Sequence, residues 1–169
     1  ERWAKEGLIK RWIAGHYGFS PKVIDMIINN KVEAYNLPQG VIIEMYRAMG
    51  QGRKGYLTNV GLETFVDPRL EGGKLNSRTT EDIIKVVEVD GEEQLYYMLP
   101  KANIALIRVT TADTNGNCTI EDEILPLDIL SAAMAAKGCG GKVIVQAKHI
   151  VQADTIPSRQ VAVPGIFVD

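Results

Sequence analysis

Apolar positions fall in short runs, and their spacing changes from one stretch to the next. Residues 1–11 set Trp3, Gly7 and Leu8 among charges ahead of Trp12, which predicts an amphipathic helix. Trp12-Ile13-Ala14 is a compact apolar strand running into the turn Gly15-His16-Tyr17-Gly18. Ser20-Pro21 pairs an N-cap residue with a proline at the first helical position, and the helix it opens carries Val23, Ile24, Ile27 and Ile28 before Asn29-Asn30. Lys31 to Tyr35 is a strand end, and Pro38-Gln39-Gly40 opens a second helix over 41–49. Residues 51–76 hold five glycines and little periodicity, the mark of a long loop of functional or mobile character. Two β-rich runs, 83–89 and 94–99, flank Asp90-Gly91, a strong hairpin signal. A buried strand at 102–110, a turn at 113–117, a helix over 128–137 closed by Gly138, a core strand at 143–147 and one more at 161–168 complete the chain. Strand–helix alternation predicts an α/β fold: an open, mostly parallel sheet sandwiched by helices, with the hairpin as its antiparallel exception. No repeat, low-complexity tract or linker interrupts it, so residues 1–169 are expected to form a single domain.

Composition narrows the function classes. With 169 residues, 46% hydrophobic and 24% charged, the chain can bury a core of ordinary size. A net charge of −2 argues against nucleic acid or an anionic membrane as partner, and no apolar run approaches a membrane span. Without a signal-peptide pattern, and with Cys118 and Cys139 too far apart for a metal or redox motif, a cytoplasmic setting and no metal are expected. The chain starts at Glu1 rather than a methionine and is expected to be a piece of something longer.

Several motif matches fail on context. Gly50 to Gly55 fits a dinucleotide pattern but follows a helix and opens none. Gly140-Gly141-Lys142 precedes a strand, and the calcium-like run at Asp113 lacks its bidentate glutamate. The stretch Glu33 to Val41 has more to offer. A strand passing through a tight polar turn into a helix leaves N–H groups at the positive end of the helix dipole, a place for a carboxylate, a phosphate or a developing oxyanion. Asn36, Gln39 and Gly40 are the polar and small residues of that turn. Read from spacing alone, the turn is better explained as structure.

Gly15-His16-Tyr17-Gly18, Glu33 to Gly40, Gly61 to Arg69 with Gly72-Gly73-Lys74, Thr111-Ala112-Asp113 with Gly116-Asn117, and Val163-Pro164-Gly165-Ile166 resemble, in order, stretches of the family I coenzyme A transferases. The likeness is nearest to the single-chain acetate or propionate type that also handles acetoacetyl-CoA. It implies the α/β fold of those enzymes, shared with certain sugar-phosphate isomerases. It also implies that this chain is most of the first, alpha-like half of an enzyme built from two similar halves. The nucleophile of such enzymes is a glutamate in a Glu-Asn-Gly-type motif of the second half. No Glu-Asn-Gly occurs here, so no catalytic residue is expected in this chain. The family's upstream glycine-rich signature is absent as well.

The resemblance implies a ping-pong transfer of coenzyme A from a short-chain acyl-CoA to a carboxylic acid through a glutamyl-CoA thioester. Coenzyme A would be a substrate and no cofactor would be bound permanently. Partners would be acyl-CoA, a short-chain carboxylate and the beta-like half, in a homo-oligomer. Gln39, with Asn36 and the N–H groups at Gly40, is expected to line the substrate site. Gly61, Gly72 and Gly73 would let the backbone of the 59–76 loop approach a ligand. Arg69 or Lys74 is a candidate for pairing with a carboxylate or a CoA phosphate. His16 more often orders such a turn than meets substrate, and Glu33 is given no catalytic role. Two other functions stay open: a sugar-phosphate isomerase of related architecture, which needs a basic phosphate site, and a non-catalytic binding or assembly domain.

Overall fold

The computed structural model describes residues 2–98 and 100–169. Glu1, where the first helix is expected to start, and Leu99, where the second hairpin strand is expected to end, lie outside them. The chain packs as two compact units, one of residues 1–45 and 55–99 and the other of residues 46–54 and 100–169.

In the first unit, β1 (Arg11–Ala14) and β2 (Glu33–Asn36) pair in parallel, Ala14 opposite Asn36. They are joined through α1 (Pro21–Ile28). Pro21 sits in its first turn, and the Ser20 carbonyl accepts the first bonds, from the N–H groups of Val23 and Ile24. Val23, Met26 and Ile27 of α1 pack on Val32 and Ala34, whereas Ile28 is exposed. The buried stripe is thus shifted from the expected one: Met26 takes the place that the apolar spelling assigned to Ile28. The α2 helix (Gln39–Gly50) begins in this unit and ends in the other.

The excursion after α2 is antiparallel. β3 (Tyr56–Thr58) and β4 (Ile84–Val89) flank β5 (Glu92–Tyr97), and Asp90 and Gly91 turn the hairpin with φ of 52° and 82°. Two consecutive left-handed residues match the right-handed strand twist. The loop before β4 is bonded down rather than open. Asn36 N–H donates to Gly73 O at 2.8 Å and Leu75 N–H to Ala34 O at 3.0 Å, so residues 73–75 run along β2. Asn76 and Thr79 bond the backbone of residues 27, 32 and 34 from the side.

In the second unit, β6 (Ile104–Asp113) lies between β8 (Lys142–Val151), parallel to it, and the short antiparallel β7 (Cys118–Thr119). Alternation along β6 turns Ala105, Ile107 and Val109 onto Ala133 and Ala136 of α3 (Ile129–Gly138). The other face leaves Ile104, Leu106 and Ile144 exposed, where parallel strands are ordinarily covered on both sides. Helices on the parallel crossovers and an antiparallel hairpin give the α/β class expected from the sequence, with the strands in three small sheets in which β1–β2 and β6–β8 are the parallel pairs.

Three further local expectations fail, besides β3, which lies within the expected 51–76 loop. Residues 2–10 form turns, not a helix: Gly7 has a φ of 82°, and the stretch is too short to nucleate a helix without a packed face. Residues 161–168 are not a strand. Val163 bridges Cys118, Pro164 can donate nothing to a ladder, and Gly165–Phe167 closes as a 3-10 turn. Gly138 does not cap α3. The left-handed residue is Gly140, and the N–H groups of Gly141 and Gly140 close onto Ala136 O and Lys137 O at 2.7 and 2.9 Å, a Schellman motif. Gly138 is where it is because Met49 and Gly50 come so close: a Cβ there would fall 2.5 Å from Met49 O.

Candidate functional site at the carboxyl ends of the parallel strands

Parallel strands end side by side, so the turns that leave them are neighbours, and the space beyond carboxyl ends is where open α/β sheets hold ligands. Here Ala14 and Asn36 are paired ends. The Ala14 carbonyl accepts from the Leu37 N–H at 3.1 Å and from the Asn36 side-chain amide at 3.2 Å. Tyr17 O–H donates to Tyr35 O at 2.6 Å, tying the first turn to the second strand. Burial pushes that phenol above its usual range, which leaves it a donor at any physiological pH.

Gln39 and Gly40 open α2 from this platform and are both exposed. The Pro38 carbonyl takes the Ile42 N–H, the first bond of the helix. No side chain crowds Gly40: a Cβ there would meet nothing within 4 Å. The Gln39 side chain lies against Gly15, and Gly73 holds Asn36 from the other side. Asn36, Gln39, Gly40 and Gly73, with Gly72 beside it, are therefore brought together. Gly72 and Gly73 are buried, with φ of 63° and 70°, and a Cβ on Gly73 would sit 2.9 Å from Leu37 and 3.0 Å from Asn36 O. Their glycine identity follows from the turn they make. Gly61 belongs to another neighbourhood, against Tyr97 O–H and Leu95, with a φ of 104°.

The basic candidates are spoken for. Arg69 donates to the buried Asp67 at 2.8 and 3.0 Å and to both oxygens of Glu93 at 2.9 Å. Lys74 pairs with Asp82 at 2.5 Å. A carboxylate or phosphate would have to displace those partners, and an isomerase's phosphate site is no better served by them. Glu33 is held by Arg11 at 2.6 Å. His16 is exposed, its ring edge-on to Phe19 at 5.3 Å.

Two hollows elsewhere offer no reactive group. One, of about 440 Å³ and lined in part by Asp113, Asn117 and Pro164, has its Asp113 carboxylate bonded to the N–H groups of Asn115 and Asn117 and to the Asn117 amide. The other, of about 290 Å³, is lined in part by Asp67, Arg69 and Glu93, whose charges are paired with one another. Burial pushes the Cys118 thiol up to about 11, so it is no nucleophile at neutral pH. Among the described residues no cluster of three or more His, Cys, Asp or Glu side chains is placed to hold a metal, and no helix is long and apolar enough to cross a membrane.

Sequence reasoning passed over Ala14 and Gly15. The signal was there: if 12–14 and 31–35 are parallel strands, whatever follows the first must face whatever follows the second.

The family model for coenzyme A transferase matches residues 1–169. Acetate CoA-transferase YdiF of Escherichia coli O157:H7 is 45% identical over 98% of this chain and 31% of its own length. Caffeate CoA-transferase of Acetobacterium woodii is 45% identical over 99% of the chain and 32% of its own. The alpha subunit of acetoacetyl-CoA:acetate/butyrate CoA transferase of Clostridium acetobutylicum is 30% identical over 95% of the chain and 65% of its own. The crystal structure of YdiF in thioester complex with CoA superposes with a TM-score of 0.94, covering 99% of this chain and 33% of that one. The chain spans about a third of the length of the first two of these relatives. A match over its full length places it: the chain belongs to the coenzyme A transferase family.

Proposed function

We propose that this chain is the alpha-like part of an enzyme that moves coenzyme A from a short-chain acyl-CoA to a carboxylic acid. The single observation that carries the reading is the exposed Gln39-Gly40 turn at paired parallel strand ends, in a chain of this family. The nucleophile is a glutamate supplied by the beta-like part. Its carboxylate oxygen attacks the thioester carbonyl, the C–S bond breaks, and CoA leaves as thiolate, giving an acyl-glutamyl anhydride. The thiolate then attacks the glutamyl carbonyl and releases the acyl carboxylate, leaving a glutamyl-CoA thioester. An incoming carboxylate reverses both steps, which gives ping-pong kinetics. That the relative YdiF was solved in a thioester complex with CoA supports a CoA thioester on this route.

This chain's task is to hold charge in place. Each tetrahedral intermediate carries an oxyanion, and the Gln39 carboxamide with the N–H groups at the start of α2 supplies preorganised donors for it. Asn36 and Gly73 fix the turn from which those donors project. The acyl-CoA, the carboxylate and the beta-like part are the partners.

The test replaces Gln39 by alanine in the whole enzyme. Loss of one such donor costs about 2.7–4 kcal/mol of transition-state stabilisation, roughly a hundredfold or more in kcat. The side chain is exposed, so the fold should lose under about 1 kcal/mol. Steady-state transfer from acetyl-CoA and thermal unfolding are measured on the same two proteins. Normal turnover with Gln39→Ala sinks the role of Gln39; a large fall in Tm assigns it to structure instead.

A further inference from the structure

A glycine is required for one of two reasons, a left-handed backbone or a lack of room for Cβ. Gly15 is not among the glycines with positive φ, so its backbone suits any residue. Room is what it lacks. A Cβ on Gly15 would fall 2.5 Å from Gln39 Oε1, 3.0 Å from Gln39 Cβ and 3.2 Å from Gln39 Cα. These three atoms all belong to one residue, the one whose carboxamide is proposed to meet the reaction. The backbone around it is fixed independently. Ala14, on the N-terminal side of Gly15, is pinned by Leu37 N–H and Asn36 Nδ2, and Pro38, just before Gln39, accepts the first helical bond. When Gly15 gains a methyl group, the far end of the Gln39 side chain must therefore swing aside, while Gln39 Cβ and Cα, at 3.0 and 3.2 Å, need yield only by a few tenths of an ångström.

We infer that Gly15 is a positioning residue: its missing side chain is the slot in which the Gln39 carboxamide is held for the transition state. This deepens the proposed function and rests on it for the catalytic consequence, but not for the structural one. Displacing a catalytic donor by about 1 Å is enough to lower turnover about a hundredfold. The loss is expected in kcat, with KM for acyl-CoA little changed, because a donor acting only on the oxyanion does not hold the ground state.

The experiment is a double-mutant cycle in the whole enzyme, read together with the crystal structure of the Gly15→Ala variant. Gly15→Ala is expected to lower kcat nearly as far as Gln39→Ala, and the double variant to be no slower than Gln39→Ala alone. The crystal structure is expected to show Gln39 Oε1 moved out of its place over residue 15. Additive losses in the cycle, or an unmoved Gln39, overturn the inference. Should Gln39→Ala alone turn over normally, the catalytic role of Gln39 fails, while a displaced carboxamide in Gly15→Ala still upholds the slot. Should Gly15→Ala fail to fold, the double variant, which removes the 2.5 Å contact with Gln39 Oε1 and keeps only those with Cβ and Cα, is expected to recover folding in part. A double variant that stays unfolded overturns the inference as well.

Discussion

Asp67 is the buried carboxylate around which the loop before β4 closes. Only 1% exposed, it accepts from the backbone N–H groups of Glu63 and Arg69 at 3.0 Å and from the Arg69 guanidinium. Its own carbonyl takes the Gly72 N–H, which starts the two left-handed glycines that reach Asn36. The Arg69 guanidinium, then the two N–H groups, hold its carboxyl well below the usual carboxylate range despite burial. A lowered folded-state pKa means stability that is present in full above the unfolded value, about 4, and is lost as pH falls below it. Asn in its place keeps one acceptor and turns an NH₂ toward the donors, at a cost of about 1.5–3 kcal/mol for bonds to a charged group. Asp67→Asn should therefore lower Tm by several degrees at pH 7, and the gap to the parent should narrow on acidification towards pH 3. Thermal unfolding at both pH values checks this; a gap that stays constant would show that the carboxylate's charge contributes nothing.

At the scale of elements, signals written in a few adjacent residues were legible. Ser20-Pro21, Pro38-Gln39-Gly40 and Asp90-Gly91 each mark a helix start or a turn, and each stands where the spelling put it, although the Ser20 hydroxyl makes no capping bond. What the sequence hid was set by distant neighbours. Met26 rather than Ile28 faces the core because β2 lies on that side, and residues 161–168 fold onto the Asp113–Asn117 turn, with Asn117 Oδ1 accepting the Gly165 N–H at 3.0 Å. The proposed site followed the same rule: Gln39 was legible from its turn, whereas Gly15 needed the parallel pairing. Gly138 is the clearest case, a glycine at a helix end that reads as a cap and is a contact. Substituting alanine improves helix propensity by up to about 1 kcal/mol. Against this, the new Cβ would lie 2.5 Å from Met49 O and 2.7 Å from Gly50 Cα, backbone atoms that cannot rotate away. Overpacking of that kind costs about 1–3 kcal/mol, so the clash wins. Gly138→Ala should destabilise in urea unfolding; a stabilised variant would restore the cap reading.

Across the whole molecule, the question is whether any carboxylate here is built to attack a thioester. A nucleophilic glutamate must be desolvated enough to react and free enough to reach carbon. Among the described residues the buried carboxylates are Asp67 and Asp113. Asp67 is engaged by Arg69, and Asp113 by the Asn117 side chain and the N–H groups of Asn115 and Asn117; both are held below the usual carboxylate range, which weakens them as nucleophiles. Of the glutamates, Glu33 is paired with Arg11 and Glu121 accepts from Thr111 O–H at 2.6 Å. The sequence holds no Glu-Asn-Gly motif, and the proposal places the nucleophile in the beta-like part. The 169-residue chain by itself should therefore exchange no labelled acetate into acetyl-CoA and form no thioester with CoA. Joined to a beta-like part that carries its glutamate, it should do both, and lose both when that glutamate becomes glutamine. The measurement is isotope exchange, with borohydride trapping of the thioester, on protein from a host lacking its own CoA-transferases. Exchange by the chain alone, with CoA found on one of its own carboxylates, would move the nucleophile into this half and leave the Gln39 turn without the role proposed for it.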